Sequence, residues 1–299
     1  IYDTMIIQTA SHMGLCFGVQ DAVDMAIASA KEGKLHILGP LAHNPVIQNR
    51  LHQAGIQFID RPDQADEGTI LITAHGMPES VRKQARETGL ALKDATCPLV
   101  HFAHRHLAQL VDQGYFPVII GRHNHIEVQG LTRDLASCSV VLEMPDIDSI
   151  PRVPRIGIVA QTTQPMDRVQ HLVDAIRARY PESEVVFKDT VCQPTKRRQL
   201  AAVKLASTSD VVVVIGGSKS NNTRQLTASI ARIQPRVHQI ERADELQAQW
   251  FGPHDTVGIT AGTSTPSETI QAVMQKLQGW EHPGNLIRTS SVHQAHVSR

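Results

Sequence analysis

The chain has 299 residues, 41% of them hydrophobic, and its 29 basic residues balance 29 acidic ones. That length and apolar content predict enough buried core for two or three ordinary domains, and the zero net charge excludes the basic footprint of a nucleic-acid or anionic-membrane binder. No apolar run approaches the roughly 20 residues that span a bilayer, and no basic stretch with an apolar core opens the sequence, so the cytoplasm is the expected compartment.

The start at Ile1 rather than methionine leaves room for a short leader. An extended stretch at 5–8 then leads to Cys16, after which Val19, Ala22, Val23, Ala26 and Ile27 fall at i, i+3, i+4, i+7 and i+8, the spacing of one apolar helix face. Strands are predicted at 35–38, 56–59 and 69–73. A second round repeats the order: an extended stretch at 90–93, then Cys97, a stripe of Val100, Ala103, Leu107, Leu110 and Val111, and strands at 117–120, 140–142 and 156–159. The third has its extended stretch at 185–188, then Cys192 and a weaker stripe whose clearest members are Leu200 and Val203. Strands at 211–215, 237–240 and 256–260 complete it. Most of these strands are continuous apolar runs, the pattern of parallel strands covered on both faces, so each third reads as an α/β lobe. The predicted lobes are 17–96, 97–191, and 192–282 joined by 1–16, with 283–299 as a tail.

Each of the three cysteines is followed 23 or 24 positions later by a glycine ending an apolar run: Gly39, Gly121 and Gly216. Polar strand-end loops come next, and further ones at Ala74-His75-Gly76, Gln161-Thr162-Thr163 and Ala261-Gly262-Thr263-Ser264. In parallel sheets, ligands collect beyond the carboxyl ends of the strands. Asp94 and Asp189 each stand three places before their cysteine. Three lobes thus offer one thiolate each, between a strand and a helix whose first amides favour an anionic sulfur. Three sulfur ligands meeting at a pseudo-threefold centre leave a metal or cluster one position short of full protein ligation, and open to substrate. Structural zinc fits less well, since no CxxC pair occurs. Cys138 lies outside the repeat and reads as a small hydrophobe.

The loops carry donors suited to phosphate oxygens where neither GxGxxG nor a Walker motif is present. His43, His75 and His125 are three; Ser220, Asn221, Asn222 and Thr223, and Thr263, Ser264 and Thr265, supply hydroxyls and amides. Helix capping is the plainer reading for single members, notably Thr223 and Thr265, and both roles can coexist because a helix N-terminus is itself an anion site. His101, His104 and His106 read as solvated or packing positions. Glu127 is the one carboxylate among these groups: either it opens a helix near 128–135, where acidic residues suit the dipole, or it is a buried proton donor.

Taken together, Gly14-Leu15-Cys16-Phe17-Gly18-Val19, Ala42-His43-Asn44, Ala74-His75-Gly76, Asp94-Ala95-Thr96-Cys97-Pro98, His125-Ile126-Glu127, Gln161-Thr162-Thr163, Cys192, Gly216-Gly217 with Ser220 and Asn222, and Ala261-Gly262-Thr263-Ser264 resemble the 4-hydroxy-3-methylbut-2-enyl diphosphate reductase family, in order over nearly the whole chain. The resemblance implies a trefoil of three α/β lobes around a [4Fe-4S] cluster held by Cys16, Cys97 and Cys192, with the fourth iron open. It implies that His43, His75, Ser220, Asn222 and Ser264 hold the diphosphate, with His125 beside them, and that Thr162 and Glu127 flank the substrate hydroxyl. The family's reaction is a two-electron reductive dehydroxylation giving isopentenyl and dimethylallyl diphosphates, with ferredoxin or flavodoxin as donor. Departures are Asn221, where the family usually has a serine, Ile126 in place of proline, and Leu15 and Phe17 around the first cysteine. A diverged paralogue with another allylic or anionic substrate, and a non-enzymatic cluster carrier or sensor, are the other readings.

Overall fold

The structure, a computed structural model, describes residues 5–42, 44–280 and 288–290. In chain order its elements are β1 (Ile6–Thr9), α1 (Phe17–Glu32), β2 (Leu35–Leu38), α2 (Pro45–Gln53), β3 (Gln57–Ile59), β4 (Thr69–Ile72), α3 (Glu79–Glu87), β5 (Ala91–Asp94), α4 (Pro98–Asp112), β6 (Phe116–Ile120), α5 (Ile126–Thr132), β7 (Ser139–Val141), β8 (Arg155–Ala160), α6 (Met166–Arg179), β9 (Glu184–Phe187), α7 (Gln193–Ala206), β10 (Val211–Ile215), α8 (Asn221–Ala231), β11 (Val237–Ile240), β12 (Thr256–Ala261), α9 (Ser267–Gln278) and β13 (Arg288–Ser290).

Three parallel sheets result, ordered β3-β2-β4-β5, β7-β6-β8-β9 and β11-β10-β12-β1-β13. The order is the same in all three: the strand after the cysteine's helix takes a central place, and the strand leading into a cysteine lies on the far side of the third. The central strands are buried along their length, as in β2, β10 and most of β6, because helices cover both faces. The expected α/β class with three similar lobes holds. β13, within the stretch expected to be a tail, adds a strand beside β1.

By contacts the chain divides into two compact units: Ile1–Cys16 with Ala42–Ile47 and Gln193–Arg299, and Phe17–Leu41 with Gln48–Cys192. In the first, Ile7, Val213, Ile215, Val257 and Ile259 pack against Val273 and Leu277 of α9, while Val212 and Val214 pack against Ala202 and Leu205 of α7 and Leu226 and Ile230 of α8. In the second, Ile156 and Ile158 meet Val169, Val173 and Ile176 of α6, and Ile119 and Val159 meet Ala103, Leu107 and Leu110 of α4.

One predicted helix face is wrong. Leu200 is 71% exposed and Val203 40%, while α7 buries Thr195, Arg198, Ala201, Ala202, Leu205 and Ala206. The buried face is made of Thr195, Arg198, three alanines and Leu205, so of the large aliphatics of α7 only Leu205 meets the sheet, while Leu200 and Val203 lie on the outer face.

Among the described residues, no helix is long and apolar enough to cross a membrane.

Candidate functional site

The main chain sets the frame identically in each lobe. Gly39, Gly121 and Gly216 follow β2, β6 and β10 and donate their amides to Ile59, Val141 and Ile240, at 2.8, 3.0 and 2.8 Å. Crowding explains the glycine at two of them. A Cβ on Gly121 would sit 2.8 Å from Val128 and 2.9 Å from Gln161, and one on Gly216 2.5 Å from Thr223 Oγ1. The loops after β4, β8 and β12 turn through Gly76→Thr73, Gln164→Gln161 and Thr265→Gly262 bonds, and the residue after each acceptor takes the cysteine amide. Cys97 donates to the Ala74 carbonyl, Cys192 to Thr162 and Cys16 to Thr263, at 3.0, 3.0 and 2.9 Å. Each cysteine immediately precedes its helix, α1, α4 or α7. All four cysteines are half-buried thiols. Gly18, on α1, leaves room for one of them: a Cβ there would meet Cys97 Sγ at 2.6 Å. Cys138 instead packs against the α4 core, and burial raises its thiol pKa. Cys16 falls in one compact unit, and Cys97 and Cys192 in the other. Among the described residues, no group of three or more His, Cys, Asp or Glu is gathered as a metal site.

In the unit holding Cys97 and Cys192, the acid is built from three strand ends. His125 is the N-cap of α5, and its Nδ1 accepts the Glu127 amide at 3.2 Å. The neutral ring therefore carries its proton on Nε2, which makes that nitrogen a donor. The His75 ring meets it edge to face, with centroids 5.8 Å apart. Glu127 follows in the first turn of α5, only 2% exposed. Its Oε1 accepts the Thr162 amide at 2.7 Å and its Oε2 the Thr162 hydroxyl at 3.0 Å. Burial pushes the carboxyl up to about 7 against the pull of those two bonds. Glu127 thus lies in the first turn of a helix, as the first reading has it, and its carboxyl is buried. Thr162 bonds the acid with its amide and hydroxyl, and its carbonyl receives the Cys192 amide.

The unit holding Cys16 gathers the amides and hydroxyls. Ser220 caps α8, accepting the Thr223 amide at 3.4 Å, so the cap is Ser220 rather than Thr223. Thr265 caps nothing; its hydroxyl donates to the Ile215 carbonyl at 2.9 Å. Asn222 Oδ1 accepts the Thr263 amide at 2.9 Å, which leaves its NH2 as the donor end. Ser220, Asn221, Asn222 and Ser264 are all buried. Asn44 Oδ1 caps α2 through the Val46 and Ile47 amides. His43 lies outside the described residues.

Sequence reasoning missed two signals. His43, His125 and Ser220 each stand four places after their glycine, and the two described members, His125 and Ser220, cap helices. Pro78, Pro165 and Pro266 mark equivalent starts of α3, α6 and α9. It also missed Arg82, which binds two loops together. Its Nε donates to the Met77 carbonyl at 3.3 Å, Nη1 to Asp94 Oδ2 at 2.5 Å and Nη2 to Thr96 Oγ1 at 2.9 Å. Asp94 also accepts the Thr96 amide, as Asp189 accepts that of Val191; this turn is what the aspartate three places before each of these cysteines does.

The sequence matches the profile of the LytB protein family over residues 7–278. It is 41% identical over 276 residues to a 4-hydroxy-3-methylbut-2-enyl diphosphate reductase of Aquifex aeolicus (strain VF5), covering 90% of this chain and 94% of that one. Identity to the enzyme of the same name from Geotalea daltonii is 40%, covering 92% and 97%. A solved structure of (E)-4-hydroxy-3-methyl-but-2-enyl diphosphate reductase, described as the terminal enzyme of the non-mevalonate pathway, is 40% identical and covers 92% of this chain and 99% of its own, with a TM-score of 0.67. A Plasmodium falciparum structure, an E-1-hydroxy-2-methyl-but-2-enyl-4-diphosphate reductase, shares the fold at a TM-score of 0.90 and 24% identity, covering 99% and 94%. With a profile match over most of its length and relatives near 40% identity, the chain belongs to the LytB protein family.

Proposed function

We propose that this chain reduces (E)-4-hydroxy-3-methylbut-2-enyl diphosphate to isopentenyl and dimethylallyl diphosphates, removing the hydroxyl as water with two electrons and two protons. The activity named for its relatives supports this, and the buried Glu127–Thr162 pair is the observation that carries it. Cys16, Cys97 and Cys192 would hold a [4Fe-4S] cluster. The donor set fits: three thiols at one repeated address, each with its amide anchored by the neighbouring loop, and a glycine that leaves one of them its space. When bound, the cluster supplies electrons singly and, at the iron without a protein thiolate, a Lewis acid.

The chain's own groups do the rest. A carboxyl near pH 7 is protonated often enough to deliver a proton and ionised often enough to be reloaded. Glu127 holds that proton against the Thr162 hydroxyl, which passes it on or orients the leaving hydroxyl. His75 and His125, with Ser220, Asn221, Asn222 and Ser264, supply hydrogen-bond donors for a diphosphate, and His43 completes the set. Fixing the diphosphate fixes the allylic end at a set reach from it. An acidic one-electron carrier, ferredoxin or flavodoxin, would deliver the electrons in the cytoplasm. The proposed lobes are 17–96, 97–191, and 192–282 with 1–16.

Anaerobic expression with iron and sulfide analysis, followed by turnover with dithionite and a viologen mediator, tests the proposal. Iron-loaded protein that turns over the named diphosphate is the expected result. A loaded sample that turns over a different allylic diphosphate would favour a paralogue, and a colourless zinc-bound sample would reject the reading.

A further inference from the structure

We infer that Arg198 is a positioning residue that fastens the segment carrying Cys16 to the helix that follows Cys192; the inference rests on the proposed ligand role of those cysteines. The three helices α1, α4 and α7 each begin one residue after a cysteine, so the sixth position past the cysteine is equivalent in all three. Two lobes place a fully buried alanine there, Ala22 and Ala103. The third places Arg198, still buried at 9% exposure. A guanidinium in an alanine's place is costly to desolvate, and it is tolerated only where fixed acceptors meet it.

Those acceptors are main-chain carbonyls of the cysteine segments. Nε and Nη2 donate to the Gly14 carbonyl at 3.1 and 2.8 Å, and Nη2 also reaches the Leu15 carbonyl at 3.3 Å. Nη1 donates to the Pro194 carbonyl at 3.1 Å. Leu15's carbonyl belongs to the peptide whose nitrogen is that of Cys16, and Pro194 lies two residues after Cys192. On their other side, the Gly14 and Cys16 amides donate to Ala261 and Thr263. Arg198 therefore holds the carbonyls of a segment whose amides the β12 loop already holds, and the Cys16 backbone cannot turn without breaking one set. Its charge is permanent. A fixed cation beside a cluster-bearing segment favours the added electron, so Arg198 also raises the reduction potential of a group bound there.

The test uses the full chain with two variants, Arg198→Met, which removes fork and charge, and Arg198→Lys, which keeps the charge and loses the fork. In the metal-free chain, Arg198→Met is expected to raise the rate of Cys16 alkylation by iodoacetamide at least fivefold and leave Cys138 within twofold, with Arg198→Lys between. In reconstituted protein, Arg198→Met is expected to weaken reduction about tenfold, ~59 mV for a one-electron couple, while Arg198→Lys stays near the parent potential. Wild-type Cys16 alkylation in Arg198→Met overturns the inference. If that variant does not fold, an unchanged Cys16 rate in Arg198→Lys overturns it equally. Failure of the ligand reading is separable: reconstitution that does not protect Cys16 of the parent chain from alkylation would reject that reading, while the metal-free comparison still judges Arg198.

Discussion

Replacing Glu127 by glutamine converts its burial into a measurable pH dependence. The folded chain holds the carboxyl near 7 against an ordinary value of 4.5, chiefly by burial, with both Thr162 bonds opposing. That gap corresponds to about 3 kcal/mol. Because the folded-state value is raised, the stability linked to the neutral acid is fully present below pH 4.5 and is lost as pH climbs to 7. Glutamine stays neutral throughout. Its Oε1 can accept the Thr162 amide and its NH2 can donate to the Thr162 hydroxyl, which rotates to suit. Glu127→Gln and the parent should therefore unfold at similar urea concentrations at pH 4.5, and the variant should gain up to about 3 kcal/mol by pH 8.5. Urea titrations of the metal-free chains at pH 4.5, 6 and 8.5 measure this. In the loaded enzyme the variant should bind the diphosphate and lose most turnover, whereas parent turnover should decline above pH 7. A stability difference that is the same at all three pH values would refute the buried neutral acid.

Further expectations follow from single contacts. Thr162→Val removes one of the bonds holding the carboxyl down, so Glu127 should titrate still higher and turnover should fall, with Thr162→Ser restoring both in a pH–rate profile. Gly18→Ala puts a methyl 2.6 Å from Cys97 Sγ, which must swing away; iron per chain should drop, as read by colorimetric iron assay, with a stability loss of about 1–3 kcal/mol. Cys138→Ala should leave iron content unchanged, whereas Cys192→Ser should abolish most of it; iron loss in the former would mean that the thiol trio is misassigned.

What the sequence revealed follows from where burial leaves a mark. β10 reads as five consecutive aliphatics because both its faces are covered, and α4 announces itself by Val100, Ala103, Leu107 and Leu110. α7 defeated the same logic, since a helix packed through alanine, threonine and arginine with Leu205 as its one large buried aliphatic leaves Leu200 and Val203, its other apolar signal, on the outer side. β13, Arg-Thr-Ser, carries no apolar signal at all. The candidate residues were legible as repeated addresses, but their partners were not. Glu127 meets Thr162 across 35 positions and Arg198 meets Gly14 across 184, pairings that only tertiary folding brings together. Capping was misjudged by three positions because Ser, Asn and Thr are all competent caps and the backbone chooses among them.

The amides of Cys16, Cys97 and Cys192 are each tethered to a main-chain carbonyl, and the next residue along each receiving turn is Ser264, His75 or Thr163. Mutation can thus exchange an imidazole for a hydroxyl at that neighbouring position without touching the tether. Such an arrangement separates what must never drift from what is free to specialise, so three lobes of one strand order can carry three different side chains beside the same sulfur tether.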